Sequence, residues 1–258
     1  LSLGDRRQFL KACGLTVLTL ARGDLVAALP AAVEPEPPGE KKPDSGVRWA
    51  MVVDPAKCRK VEGCTDCIGA CHRIHNVPSV KDPRHDVKWI WKEEFRGAFP
   101  EQEAEYIDEE LTKGSVLTFC NHCDNPPCVR VCPTQATWKR PDGIVAMDWH
   151  RCIGCRYCMA ACPYGSRSFN WEDPRPYIKD PNPDYPTRTK GVVEKCTFCE
   201  ERLAVGKPPA CVEACKEKAL IFGDLGDPSS EVRQVLRSRY ALRRRPGLGT
   251  HPSVYYLV

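Results

Sequence analysis

Sixteen of the chain's 17 cysteines fall into four sets of four, and no other feature constrains the fold as tightly. The first set is Cys58, Cys64, Cys67 and Cys71, with gaps of five, two and three residues. The second is Cys120, Cys123, Cys128 and Cys132, with gaps of two, four and three. The third is Cys152, Cys155, Cys158 and Cys162, with gaps of two, two and three. The fourth is Cys196, Cys199, Cys211 and Cys215, with gaps of two, eleven and three. Every set closes on a gap of three, and two close with Cys-Pro, at Pro133 and Pro163. The residues between have diverged while the spacing repeats, so the repeat is one of chemistry.

Disulfides, zinc and iron–sulfur clusters are the three uses for so many cysteines. Disulfide scaffolds are usually short secreted chains; this one has 258 residues and its thiols come in tight sets. The fourth set, a pair, a spacer and a pair, is the one closest to a zinc site. Structural zinc sets seldom share one closing gap throughout. The third set matches the bacterial ferredoxin run for [4Fe–4S] clusters, whose last cysteine ligates the other cluster in two-cluster proteins. Three close thiolates on a turn grip one cubane, and a cysteine three residues on points away toward a second. A c-type haem is excluded, because Cys67-Ile-Gly-Ala-Cys71-His72 is one residue too long for Cys-x-x-Cys-His. Long apolar runs are scarce and there are 24 prolines, so something besides a hydrophobic core must hold the chain together.

The N-terminal segment reads as an address. Asp5-Arg6-Arg7-Gln8-Phe9-Leu10-Lys11 is a twin-arginine pattern, followed by an apolar stretch and the small residues of 27–32. Residues 1–32 are expected to be an export signal, with Cys13 an ordinary residue within it. Twin-arginine export carries proteins already folded, often around a cofactor, which favours clusters over disulfides. Arg22 and Asp24 interrupt the apolar run before the roughly 20 residues that a spanning helix needs. No membrane span is expected. Residues 33–46, rich in proline and charge, read as a linker.

Short strands flank the cysteine sets. Thr137 to Met147 reads as strand, Pro-Asp-Gly turn, strand. Trp49–Val53 and Ala219–Phe222 read as strands before the first set and after the fourth. A C-terminal helix is expected from Asp227 as its cap and Pro228 in its first turn, running into Arg237, Arg239, Arg243, Arg244 and Arg245. His72 and His122 sit next to set cysteines, where packing or solvent contact competes with hydrogen bonding to sulfur.

Taken together, the sets resemble those of the four-cluster ferredoxin subunits of membrane-bound respiratory oxidoreductases, and the resemblance covers nearly the whole chain. It implies an α+β fold of two bacterial-type two-cluster ferredoxin domains, one inserted in the other, with loop insertions and a C-terminal extension. Residues 47–112 and 190–226 would form the domain of the first and fourth sets. Residues 113–189 would form the inserted domain, and 227–258 the extension. The resemblance implies four [4Fe–4S] clusters: one on Cys58, Cys64, Cys67 and Cys215, one on Cys196, Cys199, Cys211 and Cys71. The others are on Cys120, Cys123, Cys128 and Cys162, and on Cys152, Cys155, Cys158 and Cys132. Cys71 and Cys215 are followed by His72 and Lys216 rather than proline, so their local turns depart from the pattern. Lys88 to Phe95, Cys120 to Cys128, Arg167 to Pro176 and Thr250 to Tyr256 are similar to the periplasmic ferredoxin (O) subunits of dissimilatory-sulfite-reductase-associated membrane complexes. That implies a quinone-reactive integral membrane subunit and a multihaem cytochrome c as partners, at the periplasmic face of the cytoplasmic membrane.

The formal charge of +4 counts the cysteines as neutral. Four thiolate-bound clusters at about −2 each would bring the loaded chain to about −4. Nucleic acid is not an expected partner, since the arginine run carries no interleaved aromatic platform. A solvated face, or docking to a partner or acidic lipid, is the alternative. Two insertions, Asp82 to Leu111 and Trp171 to Thr189, are either partner contacts or lids over the clusters. The function expected is electron transfer in dissimilatory sulfur metabolism, with no catalytic residues. Alternatives are the equivalent subunit of a nitrite, polysulfide or hydrogen complex, an iron–sulfur enzyme with an open iron site, or a zinc-built interaction module. Complete sets of four cysteines argue against the open site.

Overall fold

The computed structural model of the chain describes residues 46–102, 109–112 and 114–258. The expected export signal and nearly all of the expected linker lie outside the described residues. In chain order the strands are β1 (Trp49–Val53), β2 (Ile90–Glu94), β3 (Ser115–Phe119), β4 (Thr137–Lys139), β5 (Val145–Met147), β6 (Ser168–Phe169), β7 (Val193–Glu194), β8 (Leu220–Asp224), β9 (Ala241–Leu242) and β10 (Val254–Leu257). The helices are α1 (Pro55–Arg59), α2 (Asp66–Ile74), α3 (Phe95–Ala98), α4 (Glu109–Thr112), α5 (Pro127–Arg130), α6 (Tyr157–Ala161), α7 (Glu200–Leu203), α8 (Ala210–Glu213) and α9 (Glu231–Ser238). The content is mixed α and β, with small sheets joined by loops.

β1 is the centre of the largest sheet, whose order is β8-β1-β10-β9. It pairs antiparallel with β8, Val53 opposite Leu220, and parallel with β10, Met51 opposite Val254. Side chains alternate faces along a strand, and β1 is apolar on both. Met51 and Val53 join the main core with Trp89, Phe99, Phe119, Phe198 and Tyr256. Ala50 and Val52 pack with Ile221, Val232 and Leu257 beneath α9. The C-terminal residues, expected as an extension, therefore supply a strand to the sheet that begins the folded chain.

The smaller sheets are two-stranded: β2 with β3, β4 with β5, and β6 with β7. The β4–β5 hairpin turns at Gly143, whose φ of 85° suits a residue without a side chain. α2 packs on α8, and α5 packs on α6.

The C-terminal helix differs from its expected form. Asp227 does not cap it: Asp227 Oδ1 accepts from the Ser229 N–H at 2.8 Å and the Ser229 hydroxyl at 2.7 Å, closing a local turn. The helix starts at Glu231, where Ser230 Oγ accepts from the Arg233 N–H at 3.3 Å. It stops at Ser238, and Arg239 is extended and paired with Asp54 at 2.6 Å. The arginine run is no single solvated face either: Arg244 is buried, donating to the Ala98 carbonyl at 3.0 Å and pairing with Glu93 at 3.3 Å. Both insertions place aromatic side chains in the core. Trp89, Phe95 and Phe99 of the first are buried, as is Tyr185 of the second.

Candidate metal centres

The pairs Cys120–Cys123, Cys152–Cys155 and Cys196–Cys199 sit on tight loops. The loops need backbone in the left-handed region, which few side chains adopt without cost. His122 (φ 39°) lies between Cys120 and Cys123, Gly154 (φ 70°) between Cys152 and Cys155, and Phe198 (φ 57°) beside Cys199 (φ 53°). A Cβ at Gly154 would stand 2.3 Å from the Gly191 carbonyl oxygen, so this loop also requires glycine for closeness. Such turns aim successive N–H groups into a concavity that favours negative charge. Backbone N–H groups of Ala219, Ala210 and Phe198 point at the sulfurs of Cys215, Cys199 and Cys196, at 3.2, 3.4 and 3.5 Å.

The sixteen cysteines line four cavities, four to each, and all sixteen are free thiols. Cys58, Cys64, Cys67 and Cys215 face an open cavity of ≈ 260 Å³ with Val53, Val61, Leu117 and Leu220. Cys71, Cys196, Cys199 and Cys211 line one of ≈ 10 Å³, walled by Trp89, Phe119 and Phe198. Cys120, Cys123, Cys128 and Cys162 line one of ≈ 20 Å³. Cys132, Cys152, Cys155 and Cys158 line one of ≈ 10 Å³. In each cavity, three thiols come from one set and one from another.

Electrostatics shows which cavities adjoin. Burial pushes the Cys71 thiol well up, and the neighbouring thiols of Cys196, Cys211, Cys199 and, across the wall, Cys67 push it further. Cys196 is raised by burial and then by Cys120. Cys158 is raised by burial, with Cys128 adding to it and Arg167 opposing. The order is the Cys58 cavity, the Cys71 cavity, the Cys120 cavity, then the Cys132 cavity. Burial likewise pushes Cys67 up to about 12. Cys132 is the opposite case: burial raises it, but N–H groups of Thr137, Thr134 and Ala136 and the Thr134 hydroxyl bring it below its ordinary value. Four sulfurs converging on one cavity suit a polynuclear cation, because metal coordination deprotonates a thiol outright. The donor set fits iron–sulfur clusters in all four cavities.

Several polar groups around the cavities were not evident from spacing. His75, 1% exposed, sits with Nδ1 3.6 Å from Cys71 Sγ and Nε2 2.9 Å from Glu201 Oε1, stacked on Trp89. Burial opposes its protonation, yet hydrogen bonds to the Cys199 sulfur and to Glu201 outweigh that and raise it to about 9. The two histidines flagged beside the sets behave otherwise. His122 is buried against Phe198 and its Nδ1 accepts from the Val145 N–H at 3.1 Å. Burial, then the charges of Lys195 and Arg167, hold it well below the usual range. His72 Nε2 has no hydrogen-bond partner among the described residues. The signals for Lys195 and Arg167 were a lysine directly before Cys196 and an arginine five residues after Cys162.

Residues 116–177 and 181–225 match a family described as a 4Fe–4S dicluster domain. The chain is 42% identical to the Hdr-like menaquinol oxidoreductase iron–sulfur subunit 1 of Archaeoglobus fulgidus, over 98% of this chain and 97% of that protein. The chain belongs to the family of ferredoxin-like iron–sulfur subunits of respiratory oxidoreductases. Two further members are the menaquinone reductase iron–sulfur cluster-binding subunit of Nitratidesulfovibrio vulgaris and protein NrfC of Escherichia coli. The first is 39% identical over 82% of this chain and 89% of its own length. NrfC is 35% identical over 97% of this chain and 94% of its own. Members of this family transfer electrons within oxidoreductase complexes and are not the catalytic subunits, and this chain holds [4Fe–4S] clusters accordingly. Among the described residues, no helix is long and apolar enough to cross a membrane.

Proposed function

We propose that the chain conducts single electrons through four [4Fe–4S] clusters, between a quinone-reactive integral membrane subunit and redox partners of dissimilatory sulfur metabolism. The observation that carries this reading is the row of four cavities, each presenting four sulfurs. Cys58, Cys64, Cys67 and Cys215 would hold the first cluster, and Cys71, Cys196, Cys199 and Cys211 the second. Cys120, Cys123, Cys128 and Cys162 would hold the third, and Cys132, Cys152, Cys155 and Cys158 the fourth. A thiolate-bound [4Fe–4S] cluster supplies reversible one-electron chemistry. The chain's own part is to fix the sulfurs, exclude water from the two inner sites and aim N–H groups at sulfur. Cys67 and Cys71 on α2, and Cys128 and Cys132 at the end of α5, each send one thiol to each side of a shared wall. This sharing supports the reading of a ferredoxin domain of residues 113–189 inserted within one of 47–112 and 190–226.

The partner side of the proposal rests on kinship. Relatives named as menaquinol oxidoreductase and menaquinone reductase subunits point to a menaquinone-type carrier. The resemblance to sulfite-reductase-associated subunits adds a multihaem cytochrome c, and the twin-arginine pattern of residues 5–11 adds the periplasmic side of the membrane. Iron and acid-labile sulfide per chain, with a redox-titrated EPR spectrum, test the core of this. About 16 irons and four one-electron centres are expected; zinc without labile sulfide would sink it. Detergent co-purification of the full-length protein from its source membranes tests the partners, and recovery with a nitrite, polysulfide or hydrogen enzyme instead would reassign the complex.

A further inference from the structure

Among the described residues, two buried cations have no carboxylate partner. Arg167 is 4% exposed and Lys195 0%. Other buried arginines are paired: Arg188 with Glu194 at 2.7 Å and Arg244 with Glu93 at 3.3 Å. Among the described residues no carboxylate lies within ion-pair reach of Arg167 or Lys195. An uncompensated buried charge costs several kcal/mol, so both need a counter-charge from something else in their surroundings.

Their contacts say where it lies. Arg167 Nη2 donates to Cys128 Sγ at 3.0 Å and to Thr137 Oγ1 at 2.9 Å, and Nη1 stands 3.6 Å from Met147 Sδ. Cys128 belongs to the Cys120 cavity, while Thr137 and Met147 line the Cys132 cavity. Arg167 therefore occupies the wall between those two sites. Lys195 Nζ donates to the carbonyls of Val145 and Cys196, the latter at 2.8 Å. Val145 lines the Cys120 cavity and Cys196 the Cys71 cavity, so Lys195 occupies the next wall. The Cys120 site faces both cations. The Cys58 site faces neither: at its lip Lys216 is 85% exposed in its side chain and pairs with Asp66.

We infer that Arg167 and Lys195 are fixed charges that make the Cys120 site the most easily reduced of the four, the resting place of the first electron on this chain. The inference rests on the cluster reading above. Reduction adds one negative charge to a site, and a cation in a low-dielectric wall stabilises that added charge. A hydrogen bond to a ligating sulfur acts in the same direction. Arg167 does both at Cys128 and acts through space at Cys158. Lys195 acts through space on the sites either side of it.

The test uses the full chain, loaded with iron, with Arg167→Gln, Arg167→Lys and Lys195→Gln compared by redox-titrated EPR. Arg167→Gln is expected to lower two centres and Lys195→Gln two, with one centre common to both pairs. That common centre is the highest of the four in the unaltered protein. Each affected centre loses at least tenfold in its reduced-to-oxidised ratio at fixed ambient potential, about 59 mV for one electron. Arg167→Lys keeps the charge and recovers most of the loss. Unmoved centres in fully loaded variants, equal shifts in all four, or a common centre that is not the highest would each overturn the inference. Should Arg167→Gln lose iron, Lys195→Gln still decides it: the highest centre of the unaltered protein must be one of the two that it lowers. An unaltered protein without four cubane centres would instead refute the cluster reading.

Discussion

The Cys58 site and the Cys120 site each present four cysteine sulfurs, but to opposite surroundings. The first opens through a cavity of ≈ 260 Å³, and three of its thiols, on Cys58, Cys64 and Cys215, are only part-buried. The second closes around ≈ 20 Å³, with Cys120, Cys123 and Cys128 buried and Arg167 against a sulfur. Identical ligands therefore need not give identical centres. Charge at the open site is screened by water, whereas charge at the enclosed one is felt at nearly full strength. An open site suits exchange with a partner, and an enclosed one suits holding an electron between exchanges.

The largest expected effect comes from removing one sulfur in each place. Cys128→Ala should lose about four irons per chain and unfold at a much lower temperature, since it also strips Arg167 of its sulfur partner. Cys64→Ala should lose the same iron with a smaller fall in melting temperature. Equal falls would break the comparison. Next comes Arg188→Leu, which leaves Glu194 buried without its ion partner. Arg188 also donates to the Asn76 carbonyl at 2.8 Å, and its loss should cost about 3–5 kcal/mol in denaturant unfolding. Gly154→Ala follows. The new methyl would meet the Gly191 carbonyl oxygen, and φ is already positive, so about 2–3 kcal/mol is expected from the same measurement. Wild-type stability in the Gly154→Ala variant would mean that the enclosed side is looser than its packing indicates.

Much of this was legible in the sequence. The strand Trp49–Val53 lies where it was expected, the strand expected over Ala219–Phe222 runs over Leu220–Asp224, and the hairpin from Thr137 to Met147 lies where the Pro-Asp-Gly turn put it. The cysteine spacing named the cluster type because ligand geometry allows few loop lengths. The C-terminal strand Val254–Leu257 was not legible: its parallel pairing with β1 is set by a partner about 200 residues away, and local pattern carries no such information. The aromatic insertion around Trp89 read equally as partner contact or lid, and only tertiary packing puts Trp89 against His75. Arg167 and Lys195 were missed for a related reason. Composition treats every cation as solvated, and a buried one is recognised only from what it touches.

The smallest effect concerns the open side, where local caps replace buried networks. Asp54 caps the helix that carries Cys58: its Oδ1 accepts from the Lys57 N–H at 3.1 Å, and its Oδ2 pairs with Arg239 at 2.6 Å. Burial alone would raise the Asp54 carboxyl, but the Lys57 N–H and the Arg239 guanidinium outweigh it and hold the group below its ordinary value of 3.8. A depressed folded pKa means stability that is fully present above the unfolded value and lost as pH falls through the folded one. Arg239 is 42% exposed, so solvent screening keeps the ion-pair share small, and Asp54→Ala should cost about 1 kcal/mol near neutral pH, chiefly from the cap. The gap between Asp54→Ala and the parent should narrow as pH drops below about 4, read by urea unfolding at each pH. Arg239→Gln should reproduce only the minor part of that gap. If it reproduced all of it, the open side would be held by a long-range ion pair after all, and its contrast with the enclosed side would narrow to the cavity alone.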